Sequence, residues 1–168
     1  MKRASLAVVL SLFAAACGSS STTAPSTSAN PTFTAQLLPA NETPPITNAE
    51  NVASGNATIT FVTTKDASGA VTSAVGTAVV TMQGFPAGSS ITVAHIHTGA
   101  VGVAGAVLIP FIPASVTLTN GGGTFTQTNN IGGSDATNIM NNPAGFYFNV
   151  HTALNPGGVM RGQLVRTQ

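Results

Sequence analysis

The only three histidines of the chain fall in two short segments that each run into a glycine-rich turn, VAHIHTGAVGVAG (93–105) and FNVHTALNPGGVMRGQL (148–164). His95 and His97 stand two apart in an apolar, β-branched run, so on a strand both imidazoles leave the same face, roughly 6 to 7 Å apart along the backbone. His151 on a neighbouring strand would complete a set of three nitrogens. Such a set can hold one ion at about 2.0 Å per bond and leave a position open for water or substrate. Nitrogen-only ligation suits copper or zinc, and copper binds more tightly in the Irving–Williams order, so copper is the expected metal and zinc the second choice. The competing reading is structural: histidines hydrogen-bonded across paired strands, with glycine turns packed over them. Their confinement to two similar contexts, His97-Thr98 and His151-Thr152 each followed by glycines, favours a site.

Charge is rare in this chain, which makes Glu42 and Arg161 notable. The plain expectation is a buried ion pair tying the N-terminal segment to the last strand. The sharper alternative gives Arg161 a substrate-steering role, catalytic only if the protein is an enzyme. Gly99, Gly102, Gly105, Gly157, Gly158 and Gly162 are expected in tight turns or at close backbone approaches. A phosphate-cradling loop is disfavoured, because neither a Lys-Ser/Thr pair nor a following amphipathic helix accompanies them. No G-x-S-x-G elbow is present and the four carboxylates are scattered, which argues against serine-hydrolase and glycosidase chemistry. Nucleic acid is not an expected partner, since no basic residues cluster beyond Lys2-Arg3.

The elements that must position these residues read as short strands. Threonine, valine and alanine alternate between breakers of Gly, Pro and Asn. NATITFVT (56–63) would send Ala57, Ile59 and Phe61 to one face and Asn56, Thr58 and Thr60 to the other. The turn residues of 65–69 then lead to AVTSAVGTAVVTM (70–82), forming a hairpin in which Gly76 signals a bulge or kink. ITVAHIH, AVLIPFI, SVTLT, GTFTQT, GFYFNVH and VMRGQLVRT follow as strands. With TFTAQLL (32–38) they make about nine. SDATNIMNN (134–142) is the one helix, capped by Ser134 or Asp135 and ended by Pro143. The fold class is therefore all-β, a Greek-key antiparallel β-sandwich of immunoglobulin-like or superoxide-dismutase-like kind with one short helix.

The N-terminus addresses location. Lys2 and Arg3 precede an apolar stretch, Leu6 to Ala16, too short to span a bilayer of about 30 Å, and small residues lead into the only cysteine, Cys17. AAAC resembles a bacterial lipobox with Ala14 at the position more often Leu. Residues 1–16 are thus expected to be a lipoprotein signal peptide, and Cys17 the lipidated first residue of the mature protein. Gly18 resembles the outer-membrane sorting pattern of Gram-negative lipoproteins. The expected location is the cell envelope, anchored by lipid, on the periplasmic face or the cell surface of the outer membrane. Residues 17–31 carry no charge and no large apolar side chain, and read as a flexible tether. Residues 32–168 form one domain by length. They hold Lys65, Arg161 and Arg166 against Glu42, Glu50, Asp66 and Asp135, so 3 − 4 = −1.

QLLPANETPP (36–45), AHIHTGAVGVAGAVLIPF (94–111) and GFYFNVHTALNPGGVMRGQL (145–164) resemble the CHRD domain, named after chordin, in the family's order and spacing. The family's pattern is commonly NEVPP, AHIHxGxxGxxGPV and NVHTxxxPxGEIRGQ. Here Thr43 replaces Val, Ala106 replaces Pro, and Val159-Met160 replaces Glu-Ile, which deprives Arg161 of one local carboxylate. The arrangement also resembles the copper half of a copper–zinc superoxide dismutase, with His95, His97, His151 and Arg161 matching its elements, but without a bridging histidine, a zinc loop or an intrachain disulfide. Taken with the signal sequence and the histidine pattern, the expectation is a lipid-anchored CHRD-like binding or surface module with an unidentified protein or glycan partner and a three-histidine copper site. A copper-only dismutase-like oxidoreductase and a purely structural or adhesive domain are the alternatives.

Overall fold

The computed structural model describes residues 30–111 and 114–168; the leader, Cys17 and the tether up to residue 29 lie outside them. The strands are β1 (Thr32–Leu37), β2 (Ser54–Lys65), β3 (Val71–Gln83), β4 (Ser89–Thr98), β5 (Val107–Phe111), β6 (Val116–Leu118), β7 (Gly123–Gly132), β8 (Phe146–Thr152), β9 (Met160–Gln163) and β10 (Val165–Arg166), with the helix α1 (Gly133–Asn141) between β7 and β8. One sheet has the order β10-β1-β2-β3-β7; in the other the order is β5-β4-β8-β9, with β6 pairing the start of β4. Every pairing is antiparallel. The architecture is the expected all-β sandwich with one short helix. β3 and β7 are sheet neighbours although three strands of the opposite sheet separate them in sequence.

Alternation builds the first sheet. Ala57, Ile59 and Phe61 of β2 are fully buried while Asn56 and Thr58 are exposed, and Ala78 and Val80 of β3 face the same core. Phe33 and Phe61 meet at 5.1 Å between ring centroids, and Ala94 and Ile96 of β4 with Phe148 and Val150 of β8 close the core from the second sheet. Burying a side chain of this size stabilises by about 1.5–3 kcal/mol, so the shared core holds the sheets together.

Four local expectations are corrected. Gly76 makes no bulge: it pairs in register with Phe61, and the one irregularity between β2 and β3 lies at Thr64/Lys65. A Cβ on Gly76 would lie 2.6 Å from Ile131 Cδ1, so a side chain there would require Ile131 to repack. The helix cap is Gly132 rather than Ser134 or Asp135, which fall in the first turn. Gly133 can open the helix because it lies against the Val71 carbonyl, where a Cβ would come within 2.4 Å. β7 runs on to Gly132 past the expected end at Thr128, since Ile131 is buried and Asn129 Nδ2 donates to Pro110 O at 2.6 Å. Finally, VMRGQLVRT is two strands, not one. Leu164, 1% exposed, ends β9 in the second sheet, and the chain crosses to pair β10 with β1 in the first.

Candidate metal centre

All seven residues of β8 are buried, although neighbouring side chains point to opposite faces of a sheet. Phe146, Phe148 and Val150 belong to the core between the sheets. Tyr147, Asn149 and His151 therefore point to the outer face, where strand pairing aligns Tyr147 with His97 and Gln163, and Asn149 with His95 and Arg161. This outer face is roofed. The turn after β4 supplies Val103 and Gly105, the segment after β1 supplies Asn41 to Thr43, and the turn after β8 supplies Pro156.

β4 provides His95 and His97, and its neighbour β8 provides His151, which brings one nitrogen from each to within 4.8 Å of the others. His97 and His151 are buried and His95 is half-buried. A carbonyl oxygen only accepts, so His97 Nδ1–H donates to Gly105 O at 3.1 Å and His151 Nδ1–H donates to Pro156 O at 2.9 Å. Each neutral ring is thereby left with its lone pair on Nε2. His151 Nε2 faces His95 Nδ1 at 3.2 Å, close to the roughly 3.3 Å between ligand nitrogens of a tetrahedral ion. His97 Nε2 is buried without a hydrogen-bond partner among the described residues. Two imidazoles with their far nitrogens on carbonyls, one of them with its Nε2 lone pair unused, fit a cation of the imidazole-preferring class.

Burial, reinforced by the two neighbouring imidazoles, pushes His95 down to about 4. His97 and His151 are lowered by burial as well, with the carbonyls of Gly105 and Pro156 opposing the shift. All three rings are consequently neutral, the form that binds a metal, across the neutral pH range.

The structure also brings Glu42 and Arg161 together, with Arg161 Nε 3.5 Å from Glu42 Oε2 and both side chains almost fully buried. The guanidinium does more than pair. It donates through Nε to Asn41 O at 2.7 Å, through Nη1 to Val103 O at 3.1 Å, and through Nη2 to Thr43 Oγ1, fastening two roof segments to β9. Burial pushes Glu42 up to about 7 against the pull of Arg161. Glu42 Oε1 and Asn149 Oδ1 are buried without partners among the described residues, and both crowd the Cα of Gly158, where a Cβ would lie 2.9 and 3.1 Å from them.

Residues 33–164 match the family model of the CHRD domain. The chain belongs to the CHRD domain family. No curated protein and no solved structure matches it. All the residues described above lie on the CHRD domain, so the histidine face is a feature of that domain and not of the tether.

Several residues on which this CHRD face depends escaped the sequence reading. Glu50, 2% exposed, accepts Thr152 Oγ1 and Asn155 Nδ2, each at 2.6 Å, and so anchors the turn carrying the Pro156 carbonyl. Its rarity as a carboxylate was the available signal. Tyr147 is stacked on His97 at 4.9 Å with planes 8° apart, and Gln163 Nε2 donates to Gly99 O at 2.7 Å, closing the turn beside it. Nothing in their sequence context distinguishes these two from ordinary strand residues. Of the glycines, Gly105 has the strictest requirement: a Cβ would lie 1.5 Å from Thr98 O, so no side chain lets this turn bring its carbonyl to His97. Gly157 meets no such constraint, having open space around it.

Proposed function

We propose that this chain is a lipid-anchored, extracytoplasmic CHRD-domain binding module that holds copper through His95, His97 and His151. The observation that carries the reading is the convergence of three imidazole nitrogens, with the buried Nε2 of His97 left without a partner among the described residues. Nitrogen donors alone favour copper over zinc in the Irving–Williams order. Bound copper supplies one-electron redox chemistry. The chain's own residues orient the ligands: Gly105 O and Pro156 O fix the tautomers of His97 and His151, while His95 must move its proton from Nδ1 to Nε2 to ligate through the nitrogen facing His151. Arg161 serves this site by holding the roof, since its donors are turned to protein oxygens. That arrangement favours a binding module over the dismutase-like alternative, in which Arg161 would steer a substrate.

The signal-peptide pattern and the position of Cys17 support anchoring in the cell envelope, with the tether holding the domain off the membrane. The test is elemental analysis of residues 30–168 after copper loading and removal of excess metal, beside a His95/His97/His151 triple-alanine variant. One copper per wild-type chain and none in the variant is the expected result; no retained metal in either would overturn the reading. Tyr147 is the only tyrosine of a chain without tryptophan, so its emission should be quenched by copper(II) in the same one-to-one titration. Incorporation of labelled fatty acid by the full precursor, abolished in Cys17→Ser, checks the anchor separately.

A further inference from the structure

Tyr147 touches the histidine face in three independent ways. Its ring lies parallel to His97 at 4.9 Å between centroids, and the guanidinium carbon of Arg161 stands 4.7 Å from its ring centroid. Its hydroxyl accepts the Gly105 N–H at 3.2 Å, and the carbonyl of that same Gly105 takes the His97 Nδ1 proton. The side chain is 3% exposed and lies opposite His97 in the strand register. One residue thus supports the plane of the ring and the turn that dictates the ring's tautomer.

We propose that Tyr147 is the positioning residue of the histidine site: stacked against His97 and fastened to Gly105, it holds His97 with Nδ1 protonated and Nε2 free before a metal arrives. The proposal rests on the copper reading for its purpose but not for its test. The Gly105 turn has no side chain of its own to anchor it, and among the described residues neither His95 nor His151 has an aromatic plate beneath it at this spacing and angle. Without Tyr147, His97 would be free to rotate off the carbonyl and exchange its proton between the two nitrogens. Partners that orient a metal-bound histidine are worth 10- to 100-fold in metal affinity.

The experiment compares wild type, Tyr147→Phe and Tyr147→Leu. In the metal-free proteins, two-bond proton–nitrogen correlation spectra should show a single Nδ1–H tautomer for His97 in wild type and a mixture in Tyr147→Leu. With copper(II) itself as probe, Tyr147→Leu should weaken binding about 10- to 100-fold and change the hyperfine splitting of the copper spin-resonance spectrum. Tyr147→Phe keeps the stack and loses the hydroxyl, so it should weaken binding roughly 2- to 10-fold, the equivalent of one neutral hydrogen bond, and it keeps the test decisive should the leucine variant not fold. A lowered melting temperature with an unchanged tautomer and unchanged copper affinity would make Tyr147 a packing residue and overturn the proposal. Should wild type take up no copper, the tautomer spectra alone decide: a mixture in the variants upholds the positioning role, and a single tautomer throughout ends it.

Discussion

The two sheets share a core, yet their outer faces have opposite fates. On the first sheet Thr58 and Val79, Thr81 and Thr124, Thr126 and Thr128 stand in open solvent, with no charged side chain among them. On the second, the equivalent outward positions His97, Tyr147, Asn149, His151 and Arg161 are buried under three turns. The strands themselves do not cause the difference, since both sheets alternate in the same way. What differs is the cover: glycines let the turn after β4 close down, and Arg161 and Glu50 tie the covering segments in place. All three buried side-chain atoms without a partner among the described residues, Glu42 Oε1, His97 Nε2 and Asn149 Oδ1, lie under that cover. Buried unpaired polar groups cost free energy, so these three atoms call for a partner such as an ion or a water.

The largest blow to this contrast should come from Arg161→Met. It leaves the Glu42 carboxyl buried without its cation and removes the guanidinium's bonds to both covering segments, at a cost of about 3–5 kcal/mol. Urea unfolding at pH 7.5 measures it, and a loss below about 1 kcal/mol would show that the cover holds without the guanidinium.

A second, intermediate effect is in acid. His95 titrates lower in the fold than in the unfolded chain, so the unfolded chain takes up the proton first and stability is lost as pH falls from about 6.5 towards 4. Glu42 is shifted the other way, so its contribution is present below about 4.5 and is lost as pH rises through about 7. The two slopes oppose each other between these limits. Glu42→Gln should expose the histidine slope, stability rising with pH, and the triple-histidine variant should expose the glutamate slope, stability falling with pH. Identical profiles for the two variants in urea unfolding across pH 4 to 8 would refute the assignment.

The smallest effect belongs to the open face. Thr126→Ala should change stability by no more than about 0.5 kcal/mol and leave copper binding untouched. A change above 1 kcal/mol would mean that this face is covered in solution.

Much of the sandwich was legible because burial on one face writes a period of two into a strand: NATITFVT announced β2 and its core residues directly. The errors arose where a contact outside the local segment decided the outcome. Gly76 looked like a bulge because the sequence does not reveal that Ile131 occupies the space above it. VMRGQLVRT looked like one strand because nothing local signals that Leu164 turns the chain from one sheet to the other.

The sequence by itself determined which residues carry chemistry: three histidines in two like contexts, and one glutamate and one arginine where charge is scarce. Strand periodicity put His95 and His97 on a common face, and the family motifs specified the domain. Only the tertiary structure decided that this face is the outer one, that it is roofed, which nitrogen of each ring is free, and that Tyr147 stands beside His97. The physical reason is that strand alternation is a property of neighbours in the chain. Pairing across strands and coverage by turns depend on contacts between residues distant in the chain, such as Asn41 and Arg161, 120 positions apart, and no local pattern encodes them.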